Sequence, residues 1–257
     1  MQTHVIAPSA RLAPFVARFV IVESEVLATR VLVPEPGLAL GVRYRGGSWL
    51  VDGDRSTAVP DAAVTGVRTI ARTMRTAAGS GVVVAQFRAT GAAACFAPPL
   101  HALFGATVAL DALVPGATAR RVLAEVGAAR DHAGRVAALE AFLIAQLRPA
   151  PPDPIAAAAV RAIDAHRGAI RIAALARALG ISQDPLEKRF RRAIGASPKQ
   201  VASLVRVRHA LALQRAGASW ARAAHEAGYC DQSHLVRELR AVVGVAPGEF
   251  VGATAYC

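Results

Sequence analysis

The spacing of apolar and polar positions changes character along this chain. Between about Val31 and Thr90, short runs rich in Gly, Val and Thr alternate with period two. Leu38–Tyr44, Ser48–Val51, Ala63–Val67 and Val82–Phe87 predict strands. Arg45-Gly46-Gly47 and Asp52-Gly53-Asp54 supply turns, and Gly79-Ser80-Gly81 predicts a hairpin turn rather than a nucleotide cradle. Upstream, Leu12, Phe15, Val16 and Phe19 share one side of a helix expected to begin near Ser9. From Gly116 to Leu147 the period becomes helical. Val122, Leu123 and Val126, then Val136, Leu139, Leu143 and Leu147, mark two helices, the second capped by Asp131. The run Arg148 to Pro154 (RPAPPDP) holds four prolines, which cannot continue a helix and favour an extended spacer.

The last third carries one pattern twice. Copy one runs from Ala176 through Gly180, Ser182, Leu186 and Phe190 to Gly195 and Pro198. Copy two runs from Ala224 through Gly228, Asp231, Leu235 and Leu239 to Gly244 and Pro247. One extra residue in the early turn of copy two is the only difference in spacing. Each copy reads as a helix, a glycine turn and a second helix opened by a hydroxyl or carboxylate cap, the grammar of a helix-turn-helix. Ile155–Arg167 predicts a leading helix. Ile172, Ala173, Leu175, Ala176 and Leu179 give the apolar face of the first helix of copy one. Lys199–Arg215 predicts one long helix joining the copies, roughly 26 Å at ~1.5 Å per residue. That length suits recognition helices about one turn of B-DNA apart.

In each second helix the apolar positions leave a polar face free. Copy one exposes Gln183, Asp184, Glu187, Lys188 and Arg191 beside the cap Ser182. Copy two exposes Gln232, Ser233, His234, Arg237 and Arg240 beside the cap Asp231. These are the candidate DNA contacts, and Arg237 is the first choice for bidentate pairing with guanine N7 and O6. Arg189, next to Phe190, leans towards a partner in the protein. Lys199, Arg206 and Arg208 on the joining helix divide evenly between phosphate contact and solvation.

Charge supports that reading softly. The formal net charge is +12, and from Ile155 onward 15 Lys/Arg face 7 Asp/Glu, a net of +8. A basic surface favours approach to phosphate and releases condensed counterions. Nearly all of it is arginine, a composition that fits a GC-rich coding bias. There is no run of 18 apolar residues free of charge, so no membrane span is expected. Met1 to Ala10 lacks the basic and apolar regions of a signal peptide. Three scattered cysteines, Cys95, Cys230 and Cys257, fit a reducing cytoplasm. His101, His132, His166, His209 and His225 form no H-x-H or H-E-x-x-H pair, so neither a metal nor another cofactor is expected. Trp49 and Trp220 read as core. No nucleophile elbow, P-loop or paired catalytic carboxylate is present, and no enzyme is expected.

The runs Ser182–Gln200 (SQDPLEKRFRRAIGASPKQ) and Ala223–Phe250 (AAHEAGYCDQSHLVRELRAVVGVAPGEF) resemble the AraC/XylS family of bacterial transcription regulators. The likeness covers about 155–250, and G-Y-x-D-Q-S-H-L-x-R is its most specific part. It implies a seven-helix unit with two recognition helices in successive major grooves. More weakly, Phe87-Arg88, Gly91–Phe96 and Pro99-Leu100 are similar to the small β-rich N-terminal domain of one subgroup. Asp184 and Glu187 depart from the family pattern. Carboxylates accept from cytosine N4 but repel phosphate, so copy one reads as the weaker or more selective half.

The expectation is therefore an α+β chain. A β-rich sensor or regulatory domain spans 1–108, a helical connector 109–147, a proline-rich linker 148–154 and an all-α DNA-binding domain 155–257. Double-stranded DNA is the expected partner of this cytoplasmic regulator. A small-molecule effector, RNA polymerase and a second copy of the chain are compatible further partners. Two alternatives stand beside it: an alkyl-transfer repair protein using Cys95, and a DNA-packaging protein without sequence preference.

Overall fold

A computed structural model describes residues 1–97, 99–148 and 153–244. The N-terminal part is two antiparallel sheets. Strands β1 (Gln2–Ile6), β2 (Val16–Ser24), β4 (Ala39–Arg45), β7 (Ala62–Thr65), β9 (Ser80–Phe87) and β10 (Thr107–Ala109) form the larger, in the order β1-β2-β9-β4-β7-β10. Strands β3 (Ala28–Leu32), β5 (Ser48–Asp52), β6 (Arg55–Ala58) and β8 (Arg72–Thr76) form the smaller, in the order β3-β8-β5-β6. The four strands expected from alternation are all present. Gly46, Gly53 and Gly79 take positive φ at the three expected turns, where a side chain would be strained. The turn at Gly79 passes the chain from the smaller sheet to the larger.

The helix expected near Ser9 is not formed. Residues 10–15 make a turn closed by Leu12 N–H to Ser9 C=O, and Val16 and Phe19 lie on β2 instead. The cause is burial on both faces of β2. Phe19 and Ile21 face the helices while Val20 and Val22 face the smaller sheet, so all four are buried and no alternation survives to mark the strand.

Helices α1 (Gly116–Ala128) and α2 (His132–Gln146) pack Val122, Val126, Val136, Leu139 and Leu143 against the helix-facing side of the larger sheet. Asp131 caps α2 by accepting from Gly134 N at 2.7 Å. Pro154 does not belong to an extended spacer; it opens α3 (Pro154–Ala165), where its missing N–H costs no helical bond, and Asp153 caps the first turn. Prolines 149, 151 and 152, as well as Pro247 and Cys257, lie outside the described residues. The remaining described helices are α4 (Ile172–Ala178), α5 (Gln183–Ile194), α6 (Pro198–Arg215), α7 (Trp220–Glu226) and α8 (Gln232–Val243). Six of the seven helices that the resemblance implies are present among the described residues, and everything after Gly244 lies outside them. No described helix is long and apolar enough to cross a membrane.

One hydrophobic cluster continues from the larger sheet through α1 and α2 into α3, α5 and α6. A smaller one, built on Ala210, Ala223, Ala224, Ala227, Tyr229 and Leu235, holds α7 and α8 to α6. Several contacts among the described residues join the N-terminal part to the helical part. A 3-10 turn at Leu100–Leu103 lies on α5, with Leu100 C=O beside Gly195. Glu35 pairs with Arg208 of α6 at 2.8 Å. Ala71 N donates to Val242 C=O, near the end of α8, at 2.6 Å.

Candidate nucleic-acid interface

Both copies fold as helix, glycine turn, helix. Gly180 (φ 70°) and Gly228 (φ 76°) make the turns, and Gly195 (φ 96°) and Gly244 (φ 81°) end the second helices in the left-handed conformation. Leu186, Phe190 and Ile194 are fully buried beneath α5, as Leu235 and Leu239 are beneath α8. Ala173, expected on the apolar face of α4, is exposed; Leu175 and Ala176 carry that contact.

The caps differ. Asp231 accepts from His234 N at 2.7 Å, three residues into the motif. Ser182 occupies the equivalent place with extended backbone, yet its hydroxyl makes no capping bond. The reason is Pro185. It stands where His234 stands in copy two, and it has no N–H to donate.

Among the candidate contacts, Ser182, Gln183, Asp184, Lys188 and Arg191 are exposed on or beside α5, and Glu187 is half-buried. Glu187 is held between Gln183 (3.4 Å) and Arg191 (3.5 Å), so part of its charge is met within the helix. Gln232, Ser233, Arg237 and Arg240 are exposed on α8. His234 is half-buried, its ring edge-on to Tyr229 at 5.2 Å. Arg237 has no hydrogen bond or ion pair among the described residues, which leaves its guanidinium available to a base edge.

Other cations are committed elsewhere. Arg189 pairs with Asp153 at 3.3 Å, the protein-partnered role expected of it. Arg206 bonds Glu238 of α8 at 2.6 Å and stacks over the Tyr229 ring at 4.3 Å, while Ser203 donates to the same carboxylate. Burial and the nearby Glu238 carboxylate push the Tyr229 phenol well above its ordinary pKa. Arg208 goes to Glu35, so of Lys199, Arg206 and Arg208 only Lys199 is exposed. Glu238 and Tyr229 were not among the expected functional residues. The signal that could have found them is helical spacing, because Ser203 and Arg206 share one face of α6.

Helix α6 spans 18 residues and is closed at its start by a reciprocal box, with Ser197 Oγ accepting from Gln200 N and Gln200 Oε1 accepting from Ser197 N. At ~1.5 Å per residue it sets the copies about 27 Å apart along its axis.

Residues 175–253 match a family model described as a helix-turn-helix domain. A comparison with curated proteins found no match. In three dimensions the chain is similar to ToxT from Vibrio cholerae, at 14% identity and a TM-score of 0.50, over 92% of this chain and 98% of that one. It is also similar to unsaturated fatty acid-bound ToxT from strain SCE256 (13% identity, TM-score 0.51, 91% and 94% covered). A third match is ToxT from strain O395 bound to (E)-4-(8-methylnaphthalen-1-yl)but-3-enoic acid (12% identity, TM-score 0.50, 99% and 100% covered). The matched segment, with its two glycine-turned copies, is therefore a helix-turn-helix domain, and it lies behind a β-rich part in a fold similar to that of ToxT.

Proposed function

We propose that the chain is a transcription regulator of the AraC family that reads a specific DNA sequence with α5 and α8 in successive major grooves, and that its β-rich part, residues 1–108, senses an apolar anion. The observation that carries the first half is the asymmetry of the two polar faces on one spacer. Arg237, Gln232 and Ser233 stand exposed on α8 with donors suited to base edges. On α5 the carboxylates Asp184 and Glu187 sit among Lys188 and Arg191, so that half discriminates more by exclusion than by attraction. Selection of bound duplexes from a random pool is expected to give a bipartite site with stronger preference in one half. Equal affinity for every sequence across a salt series would instead indicate packaging without sequence preference.

The second half rests on a cavity of about 180 Å³ between the two sheets. Val20, Val22, Leu32 and Val84 give it apolar walls, and Arg30, Arg43, Arg68 and Arg72 line it with charge. Arg43 is answered by Asp61 at 2.9 Å. Among the described residues no carboxylate meets Arg72; its guanidinium donates to Thr107 (2.7 Å) and Thr65 (3.2 Å). Burial, with Arg68 and Arg30 close by, pushes Arg72 down to about 10. Crowded, desolvated cations on an apolar wall favour a ligand with one negative group and a hydrocarbon body. The carboxylic acids bound to the similarly folded ToxT have that chemistry. Titration with an unsaturated fatty acid is expected to change DNA affinity in the native protein and not in Arg72→Ala. No response in either protein refutes the sensing role and leaves the DNA reading intact.

Alkyl transfer by Cys95 is disfavoured. Its thiol is buried, and burial pushes its pKa up to about 11.

A further inference from the structure

Away from the DNA-reading helices and the cavity, two imidazoles and a carboxylate converge from three separate elements. His4 lies on β1, Glu23 on β2, and His132 is the first residue of α2. One ligand atom from each lies within 4.8 Å of the other two, the one such group among the described residues. His132 Nε2 is 3.3 Å from Glu23 Oε2, and the two imidazole rings stand 4.6 Å apart, tilted by 51°. Strand register explains the approach. His4 pairs with Ile21, so it is the diagonal neighbour of Glu23 on the helix-facing side of the sheet. We propose that His4, Glu23 and His132 bind a divalent transition-metal ion, zinc foremost, which fastens the edge strand β1 to helix α2.

The donor set points to that class of ion. Two imidazole nitrogens and one carboxylate oxygen are a recurrent zinc environment with a fourth position open to water, and imidazole disfavours magnesium and calcium. The carboxylate is already oriented for the task. Tyr44 OH donates to Glu23 Oε1 at 2.7 Å and Arg45 donates to the same oxygen at 3.1 Å, which leaves Oε2 turned to His132. Outer hydrogen bonds of this kind hold ligands in place for a metal. His132 is the first residue of α2, so the helix start that Asp131 caps fixes its backbone beside β2. Tetrahedral bonds of ~2.0–2.1 Å put ligand atoms roughly 3.3 Å apart. The His132–Glu23 pair is at that spacing, and the exposed His4 can rotate to meet it.

Nearby guanidiniums limit the affinity. Arg45 spends its charge on Glu23 and Glu25, and Arg135 stacks over the Tyr44 ring at 4.1 Å. Binding in the micromolar rather than the nanomolar range is therefore expected.

The test uses the full chain without an affinity tag, stripped of metal and titrated with Co²⁺ by visible absorption and with Zn²⁺ by calorimetry. One equivalent is expected to bind, with cobalt bands of a four-coordinate site, and saturating Zn²⁺ is expected to raise the unfolding midpoint. His4→Ala and His132→Ala should each weaken binding by about tenfold or more. His4→Ala should also abolish the midpoint shift. Because His4 is exposed, that variant keeps its fold even if Glu23→Gln, which deprives Tyr44 and Arg45 of their partner, does not. Absence of one-equivalent binding, or binding unchanged in both histidine variants, overturns the proposal.

Discussion

Arg237 of α8 and Arg206 of α6 lie on two packed helices, yet their removal should have opposite consequences. Arg237 is exposed on α8 and makes no bond to the described protein, so Arg237→Ala should leave stability within about 0.5 kcal/mol. If it contacts guanine bidentately, affinity for the selected site falls by ~1–3 kcal/mol, roughly 5- to 150-fold in Kd. The loss should concentrate at one base position. Arg206 instead bridges α6 and α8 through Glu238, with side chains only 21% and 16% exposed. Breaking a fully buried pair costs about 3–5 kcal/mol, and partial solvation here lowers the expectation to roughly 2 kcal/mol. For a chain of this size that lowers the unfolding midpoint by roughly 4–8 °C. Fluorescence anisotropy on the selected duplex and its single-base variants, at one fixed salt concentration, measures the first effect; thermal unfolding measures the second. A large drop in midpoint for Arg237→Ala would refute its placement as a DNA-facing group. An equal loss of affinity on every duplex would reduce it to a phosphate contact.

Asp231→Ala removes the cap of α8 and should cost about 1 kcal/mol, whereas Ser182→Ala, whose hydroxyl makes no capping bond, should cost far less; chemical denaturation compares them. At pH 8 iodoacetamide should label exposed Cys230 and leave Cys95 intact. With the Cys95 thiol raised to about 11, its thiolate is scarce below that pH, and its labelling should rise only as pH approaches 11 or the protein unfolds. Glu35→Gln frees Arg208 and Arg18 from one carboxylate; the expected outcome is faster proteolysis around α6 and altered DNA affinity, with both recognition helices still folded by circular dichroism.

Where the sequence spoke clearly, it did so through punctuation. The recognition helices begin at Gln183 and Gln232 and end before Gly195 and Gly244, as cap and glycine positions imply. Local signals sufficed there because the determinants lie within four residues of each end. The smaller sheet was harder to read. On β8 the inward positions are Arg72, Met74 and Thr76, so the buried face is largely polar and the alternation is hidden. β1, beginning at Gln2, is almost wholly exposed and carries no apolar stripe. The failed helix near Ser9 has the opposite cause, a strand apolar on both faces. Spacing rules along the chain also miss the histidine pair of β1 and α2, since strand register and helix docking bring its members together. The commitment of Arg206 and Arg208 to carboxylates is likewise tertiary and has no local trace.

The attachments between the β-rich part and the helical part have a consequence for the proposed DNA reading. The Leu100–Leu103 turn bears on α5, Glu35 on α6 and Ala71 on the end of α8. The sheets thus grip both jaws and the crossbar of a caliper. If α5 and α8 read two half-sites as proposed, the gap the protein tolerates between them becomes a property of its β-rich part, and insertion of a base pair between half-sites is a measurement made on the sheets.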